Sequence, residues 1–123
     1  MVKFSTEKPI YAQIVDMMQM RIVTGAYLPQ AKLPSVRDLA MELGVNPNTV
    51  QRALVMLEQQ GFVSCDRTAG RFVTDDVELI KRAREALMEA KTKDFVLVMK
   101  HYGCCGEEIF KVIRRCMEKT GEV

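Results

Sequence analysis

The chain has 123 residues, of which 48% are apolar and 28% charged, as in a small globular domain with a short appendage. This length excludes barrel enzymes and two-lobed kinases, and the net charge of +2 is too small to indicate a polyanionic ligand by itself. The N-terminus lacks an apolar leader, and the longest strongly apolar run, Phe95 to Met99, is far shorter than the roughly 20 residues of a membrane span. We therefore expect a cytoplasmic protein with reduced cysteines and no membrane contact.

Three helical segments are predicted in the first half of the chain. The first covers about Pro9–Thr24, where apolar residues recur at helical spacing. The second covers about 35–43, with Ser35 as a good N-cap and Gly44 at its end. The third covers about 46–60, with Asn46 as a strong N-cap and Pro47 in its first turn. Its predicted buried face consists of Val50, Ala53, Leu54 and Leu57.

A short β-hairpin is predicted after the third helix. Phe62–Ser64 and Arg71–Thr74 are β-like, and residues 65–70 between them are typical of a turn. The order helix, helix, turn, helix, hairpin is that of a winged helix. We therefore predict a mainly α fold with a small β-wing at 62–74, in which residues 1–74 form a winged helix-turn-helix domain.

The remaining residues, 75–123, are predicted to form a short helical tail. A helical pattern covers Asp75 to about Lys91, and a last helix covers Glu107–Thr120 after a break that contains two glycines. The apolar residues of the last helix, predicted to face inward, are Ile109, Val112, Ile113, Cys116 and Met117. Between them, Phe95–Met99 fits a buried strand and a continued helix equally well by periodicity.

Segments 35–43 and 46–60 form a candidate helix-turn-helix, joined across Gly44 and Val45. In that motif the second helix enters the DNA major groove and its N-terminal residues meet base edges. Asn and Gln suit adenine, and Arg suits guanine or phosphate. Each residue alone is also explained as surface charge or cap, so the joint pattern carries the prediction for Asn46, Pro47, Asn48, Thr49, Gln51 and Arg52.

Residues 9–74 contain a series of short motifs whose order matches that of a known family. They are Pro9-Ile10-Tyr11-x-Gln13-Ile14, Gly25-x-x-Leu28-Pro29, Leu33-Pro34-Ser35-Val36-Arg37-x-Leu39-Ala40, Leu43-Gly44-Val45-Asn46-x-Asn48-Thr49-Val50-x-Arg52-Ala53-Leu54-x-x-Leu57-Glu58-x-x-Gly61 and Gly70-x-Phe72-Val73. Together these motifs resemble the GntR family of bacterial transcription regulators.

The resemblance implies a winged helix-turn-helix that binds double-stranded operator DNA as a homodimer. Its DNA-binding residues carry over to matching positions here, which are Ser35, Arg37, Asn46, Asn48, Thr49, Gln51 and Arg52. Gly70 lies in the wing, which in this family approaches the minor groove, and Arg67 and Arg71 beside it are candidate phosphate contacts. Two-fold symmetry then predicts a pseudo-palindromic operator.

Two positions depart from the family pattern. Gln30 stands where the family usually has a glycine after the proline, and we expect only a turn to change. Thr68 stands where the wing usually has its first glycine, which leaves the conformation of the wing open.

The short tail resembles the YtrA branch of the family, whose two C-terminal helices serve dimerisation. This resemblance favours a helix for Phe95–Met99, and it places Cys105 where a capping Ser is common. Repression is the expected mode, because a small dimer on a promoter most simply blocks polymerase. A small-molecule effector is a further candidate partner of the tail, and the sequence does not indicate its identity.

Two alternatives to a simple DNA-binding regulator follow from the residues. His101, Cys104, Cys105 and Cys116 are close in sequence and offer soft ligands, which leaves a metal- or thiol-responsive regulator open. However, adjacent cysteines are strained chelators, and filling or cap roles explain these residues, so no metal or other cofactor is expected. The second alternative is a winged helix used only for protein contacts.

An enzyme is not expected. His101 is the only histidine, and the sequence contains no glycine-rich phosphate loop, nucleophile elbow or metalloprotease motif.

Overall fold

A computed structural model describes residues 3–121 as helices joined by short loops, with one two-stranded sheet. The elements are α1 (Ile10–Val23), α2 (Val36–Leu43), α3 (Pro47–Gln59), β1 (Val63–Asp66), β2 (Gly70–Val73), α4 (Val77–His101) and α5 (Gly106–Thr120). The predicted mainly helical fold with a small β-wing is confirmed. None of the helices in the described part of the chain is long and apolar enough to span a membrane.

The chain divides into two compact units, a first unit up to residue 84 and a second unit from residue 85 onward. The sequence placed the boundary after Thr74, whereas the structure places the first turns of α4 with the first unit. The reason is packing, because Leu79, Ile80 and Ala83 lie against the core of that unit. The functional roles assigned to the two parts stay predictions.

The turn between α2 and α3 is fixed by capping interactions that the sequence predicted. Ser35 Oγ accepts a hydrogen bond from the backbone N–H of Asp38 at 3.1 Å. Gly44 ends α2 in the left-handed conformation, with φ of 67°. Asn46 Oδ1 then accepts from the Asn48 N–H at 2.8 Å and begins α3. These caps satisfy backbone groups that the helix ends would otherwise leave without partners.

The core of the first unit lies where the apolar faces of α1, α2 and α3 meet. Val50 and Leu57 of α3 and Ile14 and Met18 of α1 are completely buried. Full burial of each such side chain contributes about 1.5–3 kcal/mol. The helical spacing of these apolar residues predicted this face.

The wing is an antiparallel hairpin in which Val63 pairs with Val73 and Asp66 with Gly70. The bounds of the predicted strands differ from the observed ones by one or two residues, because cross-strand pairing continues to a tighter turn. The loop before α2 pairs with the outer edge of β2, which the sequence did not predict. There, Val73 N–H donates to the Ala31 carbonyl at 2.9 Å, and Leu33 N–H donates to the Arg71 carbonyl at 2.8 Å.

The second unit contains most of α4 and all of α5. The 25-residue α4 runs without interruption through Phe95–Met99, so the helix favoured by the resemblance is confirmed. Asp76 caps its start by accepting from the Leu79 N–H at 3.0 Å. Cys105 occupies the N-cap position of α5, but its side chain makes no capping hydrogen bond.

Gln30 has a φ of 69°, a left-handed conformation that is unfavourable for any residue with a Cβ. Its N–H donates to the Val73 carbonyl at 3.1 Å, so its backbone must stay in place for the hairpin edge to form. We expect Gln30→Gly to raise the free energy of unfolding by about 0.5–1 kcal/mol, since relief of strain exceeds the added chain entropy. Urea denaturation measures this change. Gln30→Ala, which keeps a Cβ, should bring no such gain, and a less stable glycine variant would contradict the prediction.

Candidate nucleic-acid interface

The N-terminal half of α3 presents polar side chains to solvent because its opposite face is buried. Val50 is completely buried, which fixes the rotation of the helix about its axis. Asn48, Gln51 and Arg52 are consequently exposed, and Thr49 is half-buried. The arrangement offers amide, hydroxyl and guanidinium groups along one exposed surface.

Of the predicted residues at the helix starts, some form part of the helix caps and others keep their polar groups available to a ligand. Asn46 and Ser35 are exposed, but each uses its side-chain oxygen to cap a helix. Pro47 begins α3 and offers no polar side-chain group. Arg37, in the first turn of α2, is exposed, and no carboxylate within residues 3–121 forms an ion pair with it. Its positive charge is therefore available to a ligand.

Arg52 lies against an aromatic ring that the sequence analysis did not assign to the site. Its Cζ is 3.8 Å from the centroid of the Tyr11 ring, within the range of a cation–π interaction. The two side chains line a groove of about 380 Å³, together with Ile10, Asn48 and Thr49. Tyr11 belongs to the motif Pro9-Ile10-Tyr11-x-Gln13-Ile14, but only the packing of α1 against α3 brings its ring to this surface.

Arg71 is engaged within the protein. Its Nε is 2.5 Å from Glu58 Oε1, and its Nη1 donates to Gln51 Oε1 at 3.4 Å. The side chain is only 17% exposed. Arg71 thus ties the wing to α3, and its proposed phosphate contact would require it to share or leave this ion pair. Arg67, in contrast, is exposed in the wing turn.

The wing turn is organised around the Asp66 carboxylate. Asp66 Oδ1 accepts from the Thr68 N–H at 2.9 Å, from the Thr68 hydroxyl at 2.8 Å and from the Ala69 N–H at 3.2 Å. These hydrogen bonds favour the charged form and lower the pKa of Asp66 below its usual value. A well-formed turn therefore exists although Thr68 replaces the usual glycine.

Gly70 follows the turn with a φ of 108°. A Cβ at this position would lie 3.2 Å from Lys32 Cε, so the Lys32 side chain passes directly over the wing. Lys32 is a cation beside the candidate DNA surface that the sequence analysis missed. Its position depends on the bridge between Lys32 and Phe72, for which the local sequence carries no signal.

The metal-responsive alternative gains no support from the described side chains. Within residues 3–121, no three His, Cys, Asp or Glu side chains form a group suited to a metal ion. Cys105 and Cys116 are exposed and unpaired with another cysteine. Desolvation, and then the nearby Glu108 carboxylate, raise the pKa of the Cys104 thiol, which lowers its thiolate content at neutral pH.

Comparison with known sequences identifies the family. The family described as "Bacterial regulatory proteins, gntR family" matches residues 10–73, about half of the chain. An uncharacterized HTH-type transcriptional regulator, YhcF of Bacillus subtilis, is 37% identical over 94% of this chain and 96% of its own length. The HTH-type transcriptional repressor YtrA of the same organism is 30% identical over 94% and 87% of the two chains. The chain therefore belongs to the GntR family of DNA-binding transcriptional regulators, with YtrA-like relatives.

Solved structures agree with this assignment. A GntR family transcriptional regulator from Listeria monocytogenes matches with a TM-score of 0.86 and 37% identity, over 91% of this chain and 98% of its own. The DNA-binding domain of AraR in complex with operator ORR3 matches with a TM-score of 0.54 and 28% identity, over 60% of this chain and 89% of its own. The winged helix fold is confirmed by these neighbours.

We expect the Thr68 and Ala69 amide resonances to report the lowered pKa of Asp66. The three hydrogen bonds to its carboxylate are fully present above the usual aspartate pKa of about 3.9 and weaken only as the pH falls through the lowered value. An NMR pH titration of these two amides should give a midpoint below about 3.9. Asp66→Asn removes the titrating group and should abolish the transition. A midpoint at or above the usual value would contradict this description of the wing.

Proposed function

We propose that two copies of this chain bind a pseudo-palindromic operator in the cytoplasm and repress the adjacent genes. In this proposal, α3 enters the major groove and the wing approaches the minor groove. The observation that carries it is the exposed polar half of α3, opposite a completely buried Val50. A helix held in this way can present its N-terminal side chains to base edges.

The charges near α3 support a DNA ligand over a protein ligand. Arg37 and Arg52 are exposed, and among the described residues neither forms an ion pair. Lys32 and Arg67 add exposed positive charge at the wing. Phosphate contacts by such cations position a protein on the duplex, and base contacts supply specificity.

Two relatives make operator binding and repression the best-supported activities. The matched AraR domain is in complex with an operator, and YtrA of Bacillus subtilis is called a transcriptional repressor. A dimer bound over a promoter would repress by steric exclusion of polymerase.

The homodimer is supported by the apolar surface of the second unit. Phe110 is 70% exposed, and Leu97 and Val98 are each more than half exposed. Met117 and Cys116 are also exposed, although the helical pattern of α5 predicted them to face inward. A partner surface is the simplest cover for such side chains, and a two-fold dimer repeats the same surface on both copies.

We expect Arg37→Ala and Arg52→Ala to weaken binding to a duplex selected from random DNA by the unmodified protein. A lost bidentate base contact costs about 1–3 kcal/mol, whereas a lost phosphate contact weakens binding to all sequences and reduces the salt slope by about one. Fluorescence anisotropy on the selected duplex and on a scrambled duplex separates these outcomes. Arg82→Ala, at an exposed position of α4, is the matched control. Unchanged affinity in both test variants would contradict the proposed DNA contacts of these two arginines, whereas a selection that recovers no duplex would favour a winged helix that contacts only proteins.

We expect Phe110→Glu to shift the protein from dimer to monomer, because burial of an unpaired carboxylate in an apolar interface is strongly unfavourable. Sedimentation velocity measures the change, and affinity for the selected duplex should fall with it. Lys111→Glu, at the next exposed position of α5, adds the same carboxylate outside this apolar set and should have the smaller effect. A Phe110→Glu protein that remains dimeric would place the interface elsewhere, and an unmodified protein that is monomeric would contradict the homodimer.

A further inference from the structure

The Arg52 guanidinium is stacked on a ring that belongs to a different helix. Its Cζ lies 3.8 Å from the centroid of the Tyr11 ring, at the start of α1. Tyr11 is half-buried and packs against the core of the first unit, so its ring has a supported position. A guanidinium within about 6 Å of such a ring is attracted to its face.

A guanidinium stacked face to face on the ring at this distance would leave its N–H edge available. The guanidinium group carries five N–H donors in its own plane, which is the geometry suited to a bidentate acceptor. The ion pairs within residues 3–121 involve other cations, namely Lys8, Arg21 and Arg71. Arg52 is therefore oriented by an uncharged partner, and its charge is not neutralised.

The ring also lies beside the residues that the fold presents to DNA. Tyr11 and Arg52 line the same groove as Asn48 and Thr49 of α3. An arginine ordered there before DNA arrives loses less conformational freedom on binding than an arginine that is free in solvent.

We propose that Tyr11 is a positioning residue for DNA recognition, whose ring holds the Arg52 guanidinium in the plane that meets a base edge. This inference rests on the proposed function, in which Arg52 contacts the operator. The chemistry depends on the aromatic face of Tyr11 and not on its hydroxyl group.

Two substitutions in the full chain separate the face from the hydroxyl. Tyr11→Phe keeps the aromatic face, whereas Tyr11→Leu removes it and keeps an apolar side chain. We expect Tyr11→Leu to bind the duplex selected by the unmodified protein about three- to tenfold more weakly, and Tyr11→Phe to stay within about twofold. On a scrambled duplex of the same length, Tyr11→Leu should change little. Equal losses for the two variants would overturn the proposal.

A double-mutant cycle with Arg52→Ala distinguishes positioning from a general loss of folding. Once Arg52 is absent, Tyr11→Leu should have no further effect on the affinity for the selected duplex. An effect that persists in the Arg52→Ala protein would mean that Tyr11 acts through stability or by itself, and would overturn the proposal. If Arg52→Ala weakens binding and Tyr11→Leu does not, only the positioning role fails. If Arg52→Ala has no effect, the proposed Arg52 contact fails first, and the positioning role fails with it.

Discussion

The candidate DNA surface depends on the burial of one face of α3. Val50, Ala53, Leu54 and Leu57 are almost completely removed from solvent, and a helix cannot bury this face without exposing the opposite one. The asparagine cap and the left-handed Gly44 then set where the helix begins and how it follows α2. Substitutions that enlarge or polarise this apolar face should thus disturb the proposed DNA recognition without altering any of the candidate DNA-binding side chains.

Around this helix, contacts between side chains hold polar groups of the candidate surface in place; we call these contacts braces. The Glu58 carboxylate ties Arg71 of the wing to α3, and the Asp66 carboxylate organises the wing turn. Tyr11 gives the Arg52 guanidinium a supporting face. In the proposed complex, the contacts of Asp66 and Tyr11 order the surface without forming an ion pair with a cation that would bind DNA. Arg71 is the exception, because its brace is itself an ion pair.

Local signals in the sequence predicted the helices and their caps well. Ser35, Gly44 and Asn46 have their expected roles because capping depends on residues only a few positions apart. The sequence did not predict three features: the pairing of the loop before α2 with the hairpin, the Tyr11–Arg52 contact and the position of Lys32. Each of them joins segments that are far apart in the chain. The helical pattern of α5 also predicted an inward Met117, which is 44% exposed, since periodicity identifies an apolar face but not what covers it.

In the proposed dimer, a symmetric pair of α3 helices reads DNA sequence. Selection of binding sites from random duplex DNA with the purified protein, followed by determination of the sequence and spacing of the recovered sites, tests this reading. We expect two inverted half-sites about one helical turn, or 10–10.5 base pairs, apart, bound far more tightly than random DNA. Recovery of no preferred sequence, with only weak and strongly salt-dependent binding, would contradict it.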